Sequence, residues 1–368
     1  MTTAQGRPNI TRSSHGARAN SDLATRPIDL PLATGGSTTS HRFLVECLAG
    51  ESLEPTVILD GEGPHRFHRL FRTFRTAGLA HVVSRPADAG LHLLTRAIVE
   101  RERCHGDLYD RESVGSATAI PIVGPSGVVH AVRLDIGTHQ GDVEMPVVPV
   151  EFDAELIARF GVPHGSVPAL FASSSTWTLP ALLEQVVWLD KRLELIALFD
   201  PGDPESRWCG SLVIEDSNPT KRRHLWMAVR STTDRHGERV ARGIIADITD
   251  TTTAPSPDPF TEHLSTRTPR GHGSALMDLR TTLMHSFYCR DDPRMSFWRH
   301  RNPQTHPADR FALLQVLSDL EQNRPAQLAL RIRFEDEDPW ITLHVNCTPL
   351  TNYPRPQANI DFWIEPPN

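Results

Sequence analysis

The apolar positions near the C-terminus follow a two-residue rhythm. In "LALRIRF", Leu328, Leu330, Ile332 and Phe334 share one face; Ile341, Leu343 and Val345 do so in "WITLHVN", and Ile360, Phe362 and Ile364 in "NIDFWI". Alternation in three successive segments predicts an antiparallel sheet with one buried face, and the acidic "FEDEDPW" predicts a turn between the first two. Ahead of them, "HPADRFALLQVLSDLEQN" changes to a helical period. Phe311, Leu314, Leu317 and Leu320 line one side of it, with Leu313 and Val316 widening the stripe. Pro307 suits the first helical position, where its missing N–H costs nothing. Asp309 falls in the first turn, where a carboxylate meets the positive end of the helix. One helix followed by three strands makes a compact α+β unit.

The rest of the chain carries shorter signals. "EPTVILD" (Glu54 to Asp60) predicts a strand. "FHRLFRTF" (Phe67 to Phe74) and "AGLHLLTRAIVERE" (Ala89 to Glu102) predict helices, the second with Leu91, Leu94 and Ile98 at helical spacing. "ATAIPIVGPSGVVHAVRLDIG" (Ala117 to Gly137) predicts two strands around a Gly-Pro-Ser-Gly turn. "LPALLEQVVWLDKRLELIALFD" predicts a helix, followed by strands near Ser211–Glu215, His224–Thr232 and Val240–Ile248, with "DRHGE" turning between the last two. The prolines and small polar residues of "TDTTTAPSPDPF" prevent any helix from continuing there. The boundaries that follow are a disordered leader (1–40), a first domain (41–160), a linker (161–178), a middle domain (179–253), a Pro-rich linker (254–273) and a C-terminal domain (274–368).

Length agrees with this division, since 368 residues exceed one ordinary core. With 39% hydrophobic and 23% charged residues the chain reads as soluble and globular. A net charge of -7 argues against a general binder of DNA or of membrane surfaces. No apolar run approaches the roughly 20 residues of a membrane span. The leader is acid-poor and contains arginine, as transit peptides do, but has neither an amphipathic helix nor a secretory apolar region. Cys47, Cys104, Cys209, Cys289 and Cys347 are widely spaced and fit no pairing motif, which suits reduced thiols and a cytoplasmic location. Lysine occurs only at Lys191 and Lys221, so arginine carries the positive charge, a bias read as genomic.

Two stretches resemble PAS modules. "HPADR", its helix and "LALRIRFEDEDPWITLHVNCTPL" are similar to the second half of a PAS core, and "HLWMAVRSTTDRHGERVARGIIADITD" resembles the C-terminal part of one. The first domain resembles a GAF or PAS-like fold. The whole order, with "FLVECLAGESLEPTVILDG" near its start, resembles an actinobacterial family of three-domain proteins without an output domain. The resemblance implies an α+β chain of tandem PAS/GAF-like domains, each an antiparallel sheet flanked by helices. It also implies a sensory or docking role, homodimerisation, a protein partner and a small-molecule ligand of unknown identity.

The chemistry sought for such domains gives no assigned site. Asn346–Cys347, superficially like a flavin-reactive pair, falls in a predicted strand. His285, His300 and His306 are placed where a haem ligand could lie, but exposed or capping roles explain them as well. Cys104 and His105 lack partners at zinc spacing. "KRRH" (Lys221 to His224) reads as a solvated basic loop. Phe297, Trp298, Phe311, Trp340, Phe362 and Trp363 read as a core, or as the lining of an apolar pocket. Trp340 and Trp363 point away from the core face, where they could form an interface. Motifs for nucleotide binding, hydrolysis or metalloproteolysis are missing. The expectation is a non-catalytic cytoplasmic protein with no catalytic residues, no metal and an unknown cofactor. The alternatives are an enzyme with an unrecognised active site on a degenerate fold, and a transcription-related regulator acting by protein contact.

Overall fold

Continuous burial, not alternation, marks the central strands of the first two-thirds of the chain. Phe43–Glu46, Thr56–Leu59, Val129–Val132, His224–Ser231 and Gly243–Ala246 are each buried without interruption. Such runs belong to strands covered on both faces. The computed structural model describes residues 40–48, 55–79, 89–109, 114–137, 144–172, 176–200, 202, 207–215, 222–234, 236–256, 268–289 and 293–364. The leader 1–40 lies outside them apart from Ser40. Residues Thr39–Asn368 form one compact unit.

Three antiparallel sheets build that unit. The first holds β1 (His41–Glu46), β2 (Thr56–Asp60), β3 (Gly63–Arg69), β4 (Cys104–Tyr109), β5 (Val114–Val123) and β6 (Val129–Ile136), in the order β3-β2-β1-β6-β5-β4. The second holds β7 (Val147–Phe152), β8 (Ile157–Phe160), β9 (Trp177–Thr178), β10 (Val186–Leu189), β11 (Arg207–Glu215), β12 (Arg222–Thr233) and β13 (Arg239–Asp247), in the order β10-β11-β12-β13-β7-β8-β9. The third holds β14 (His272–Asp278), β15 (Leu283–Cys289), β16 (Gln304–Thr305), β17 (Ala326–Arg333), β18 (Ile341–Leu350) and β19 (Gln357–Ile364), in the order β15-β14-β19-β18-β17-β16. One connection recurs: the first strand of each sheet pairs with its second and its last. β7 and β8 precede the boundary drawn at residue 160, yet both pair within the second sheet, and the stretch read as a linker contributes β9.

The expected α+β arrangement, tandem PAS/GAF-like domains each with a sheet flanked by helices, is corrected. Strands dominate, and among the described residues no helix exceeds the 12 residues of Ala89–Glu100 and Arg310–Glu321. The first two sheets instead cover one another. Leu44, Ile58, Ile122 and Ala131 of the first pack on Val147, Trp226, Ala228 and Ile244 of the second. The expected helix from Leu179 breaks into a helix (Leu179–Glu184), β10, which pairs with β11, and a second helix (Arg192–Ala197) that starts after Lys191, whose φ of 48° is left-handed.

The third module keeps its predicted alternation: Leu330, Ile332 and Phe334, Leu343 and Val345, and Ile360, Phe362 and Ile364 all face one core. Its helix is rotated from the predicted stripe. Val316 and Leu320 are buried, whereas Phe311 is 78% exposed and Leu314 64%. Met295 and Trp298, from the preceding 3-10 turn, fill core space alongside the helix. Gly273 is required by that core, since a Cβ there would lie 2.0 Å from the Phe362 ring.

The tail of the second sheet ends in a built stop. In "ADIT", Asp247 Oδ1 accepts from the Thr249 backbone N–H (2.9 Å) and from its hydroxyl (2.5 Å). Thr249 Oγ1 in turn accepts from the His224 N–H at 2.9 Å. The amides of Thr251 and Thr252 then turn back onto the Ile248 carbonyl. The third module docks beyond this stop. Thr178 Oγ1 donates to the Trp298 carbonyl at 2.6 Å, Arg192 to the His285 carbonyl at 2.7 Å, and Arg355 joins Asp278 (2.8 Å) to Asp200 (3.3 Å).

Candidate functional site

A bulge in β3 builds one side of a cleft rich in polar side chains. Opposite β2, Leu59 pairs with Pro64 and Val57 with His68, so the intervening residues of β3 outnumber their partner and the strand bends. Phe67 sits at φ 49°, a region that a bulky residue occupies only when its surroundings hold it there. The sequence pattern placed residues 67–69 in a helix; they belong to β3, and the helix runs Leu70–Thr76.

Two histidines of the bulged strand line the cleft, and two neighbours engage the second sheet. His65 and His68 border a cleft of about 330 Å³ with His41, Arg42, Asp60 and Arg72. Arg66 pairs with Asp190 at 2.6 Å. The Phe67 ring lies under the guanidinium groups of Arg207 (5.1 Å) and Arg230 (4.7 Å). The His65 carbonyl accepts from Cys209 Sγ at 3.5 Å.

Inside the cleft the acid groups are largely committed. Asp60 Oδ1 accepts from the amides of Glu62 (2.8 Å) and Gly63 (3.2 Å), closing the β2–β3 turn. Its Oδ2 lies 2.7 Å from His65 Nε2, a close contact not aligned as a hydrogen bond. The rings of His65 and His68 stack, with centroids 4.5 Å apart. Arg42 donates to Asp135 at 2.8 Å, and Arg133 reaches the other oxygen of that carboxylate at 3.1 Å. Desolvation, and then the charges of His65 and Arg72, hold His68 below the usual histidine range against the pull of Asp60.

Behind β3, two polar links cross the sandwich. Glu46, fully buried, receives Arg230 through both guanidinium arms (2.9 and 3.0 Å), the Thr56 hydroxyl (2.7 Å) and the Leu48 N–H (2.6 Å). The second link is His130, whose ring nitrogens lie 2.8 Å from the Gly243 carbonyl and 2.9 Å from Glu151. Its ring occupies the space over Gly124, where a Cβ would fall 2.1 Å from Nε2. Burial works to raise the Glu151 carboxyl, but hydrogen bonds from His130 and Ser126 prevail and hold it below its ordinary range.

The cleft and the first sheet lie inside a recognised unit. Residues 41–146 match the family model described as "Rv3651-like, N-terminal". Over a longer span the chain is similar to the crystal structure of an uncharacterized protein from Mycobacterium tuberculosis. The TM-score is 0.65 at 16% identity, covering 88% of this chain and 96% of that one. The similarity shows a shared fold over most of the chain. An RNA-binding light-oxygen-voltage receptor aligns at a TM-score of 0.22 with 10% identity, over 60% of this chain and 95% of that one, too distant to bear on the fold. No curated protein matches the chain.

The residues singled out in the sequence lie elsewhere. His285 is buried and contacts Gln357 Oε1 at 2.6 Å; desolvation pushes it down to about 4. His300 is exposed on the Thr176 carbonyl, and His306 caps the 3-10 turn Pro307–Asp309 by accepting from the Ala308 N–H. The three are not gathered into one site. Cys104 is buried against Glu100, while His105 is exposed beside Thr118. Among the described residues no group of three or more His, Cys, Asp or Glu side chains could hold a metal ion. "KRRH" is only partly solvated: Arg223 pairs with Asp247 and His224 is buried, while Lys221 lies outside the described residues. The third module's rings split between core and surface. Trp298, Phe287 and Phe362 pack on one another. Trp363 stands half-buried on the other face between His344 (5.3 Å) and His272 (5.6 Å), and Trp340 lies under Arg333. Among the described residues no helix is long and apolar enough to cross a membrane.

Proposed function

We propose that the protein is a non-catalytic sensory or docking protein that binds a small molecule in the cleft beside β3. One observation carries this reading: the strand that lines the cleft with His65 and His68 is the strand whose Arg66 and Phe67 engage the second sheet. The cleft's volume of about 330 Å³ falls at the lower end of small-molecule sites. Its polar groups converge from β1, β2, β3 and the following helix, so an occupant bears on the seam between the modules. A protein partner would read that seam rather than the molecule itself.

Native mass spectrometry of the protein purified under mild conditions, joined to a thermal-shift screen of small metabolites, tests the reading. The expected result is a ligand that raises the melting temperature and loses its effect in His68→Ala/Arg72→Ala. A ligand indifferent to that double variant refutes the location. Turnover of the ligand refutes the non-catalytic role.

A further inference from the structure

We propose that the cleft is an anion site whose ligand is a small molecule bearing an oxyanion, a carboxylate or a phosphate, gripped by His41, His68 and Arg72. This rests on the small-molecule reading above and adds the chemical class.

Charge and free donors set the class of ligand. Asp60 accepts two turn amides on one oxygen, and His65 Nε2 lies 2.7 Å from the other and blocks its approach to a ligand. Asp135 is shared by Arg42 and Arg133, so one carboxylate answers two guanidinium groups. Arg72 is exposed at the cleft, and among the described residues it makes no ion pair. The remaining acid of the lining is Glu62, exposed in the turn. The groups left to meet a ligand are therefore donors and cations, and an oxyanion is what guanidinium and imidazole N–H groups recognise together. A cation would face Arg42 and Arg72 at short range. An apolar ligand would strip water from seven charged or imidazole side chains without replacing their hydrogen bonds.

A proton follows the anion. Desolvation first, and then the charges of His65 and Arg72, make His68 hold its proton weakly in the free protein. A bound oxyanion reverses that balance. The titratable groups facing it are His41 and Arg42 on β1, Asp60 on β2, Glu62 in the turn, His65 and His68 on β3, and Arg72 on the helix. Among them His68 is the group whose proton the anion draws back, since histidine is the side chain that switches charge near neutrality. Binding thus takes up a proton and tightens as pH falls from 8 toward 6.

Isothermal titration calorimetry with sulfate, whose own charge is constant over this range, is the direct test. Succinate serves as the carboxylate probe, glucose as the neutral probe and zinc as the cation probe, at fixed chloride concentration. Sulfate or succinate is expected to bind several-fold tighter at pH 6 than at pH 8. Arg72→Gln should weaken binding at least tenfold, and His68→Gln should remove most of the pH dependence. Both side chains are exposed, so the variants keep the core, and circular dichroism confirms this. If glucose or another neutral molecule binds in a Arg72-dependent way and neither anion does, the oxyanion inference falls while the small-molecule reading survives. If zinc alone binds, or if the anions bind equally to the Arg72→Gln/His68→Gln variant, the anion site is refuted. If no member of the wider metabolite screen depends on these residues, both readings fall.

Discussion

Arg230→Met should be among the most damaging single changes in the chain, and a second change should partly repair it. Arg230 enters the seam between the first two sheets and meets Glu46, which has no exposed surface, at 2.9 and 3.0 Å. Methionine keeps much of the apolar stem but leaves that carboxylate without its counter-charge. Breaking a buried pair from one side costs about 3–5 kcal/mol. At roughly 2 °C per kcal/mol, the low end because the cooperative unit is large, the melting temperature falls by about 6–10 °C. Glu46→Gln removes the orphaned charge yet keeps one oxygen to accept the Leu48 amide, while its N–H can donate to the rotatable Thr56 hydroxyl. In the wild-type background this change is destabilising, because it strands Arg230. In the Arg230→Met background it should be stabilising, by about 1–3 kcal/mol. Urea and thermal unfolding of the four proteins, followed by circular dichroism, give the cycle. The reasoning is refuted if Glu46→Gln has the same sign in both backgrounds, or if Arg230→Met melts within about 1 °C of wild type.

Three further outcomes follow from burial and charge. His285 sits at about 4 against an ordinary 6.5, so between these values the unfolded chain holds more protons and stability falls as pH falls, by up to roughly 3 kcal/mol. His285→Gln, whose amide reaches toward Gln357, should flatten that part of the stability–pH curve, and an unchanged curve would assign the slope to other groups. Leu320→Ala should cost about 2–5 kcal/mol and Phe311→Ser less than about 0.5, measured by urea unfolding; the reverse order would restore the rotation of the helix expected from sequence. Native protein at pH 8 should alkylate slowly at the buried Cys104, Cys209 and Cys347, the last with its thiol pushed up to about 11 by burial, and rapidly after denaturation, as mass spectrometry of tryptic peptides will report.

What the sequence revealed depended on how many faces of each strand are buried. In the third module one face is covered, so the rhythm of Leu330, Ile332, Phe334 and their neighbours gave both the strands and their orientation. In the first two modules each sheet has a partner sheet. Runs such as "TVIL" and "LWMAV" therefore announce strands but not what lies on either side. Face-to-face packing is a long-range fact that no local period encodes, and it is what overturned the helix-flanked arrangement. The helix after His306 failed for a related reason: Phe311 and Leu314 fit an apolar stripe, yet the core beside them is shared with Met295 and Trp298, which come from an aperiodic segment.

The cleft was illegible for a more specific reason. "FHRLFRTF" reads as a helix from Phe67 to Phe74. The chain instead spends Phe67 on a left-handed bulge, where Arg207 and Arg230 cover its ring and Arg230 is itself pinned to buried Glu46. A bulky residue with positive φ costs of order 1–3 kcal/mol, which those contacts must offset. Their effect is to turn His65 and His68 to the cleft while Arg66 and Phe67 grip the neighbouring sheet. A regular β3 would alternate His65 with Arg66 and Phe67 with His68 across the sheet, leaving the two imidazoles on opposite faces. The strain at Phe67 is thus the physical condition for a cleft with both histidines in it, and it ties that cleft to the seam between modules through one strand.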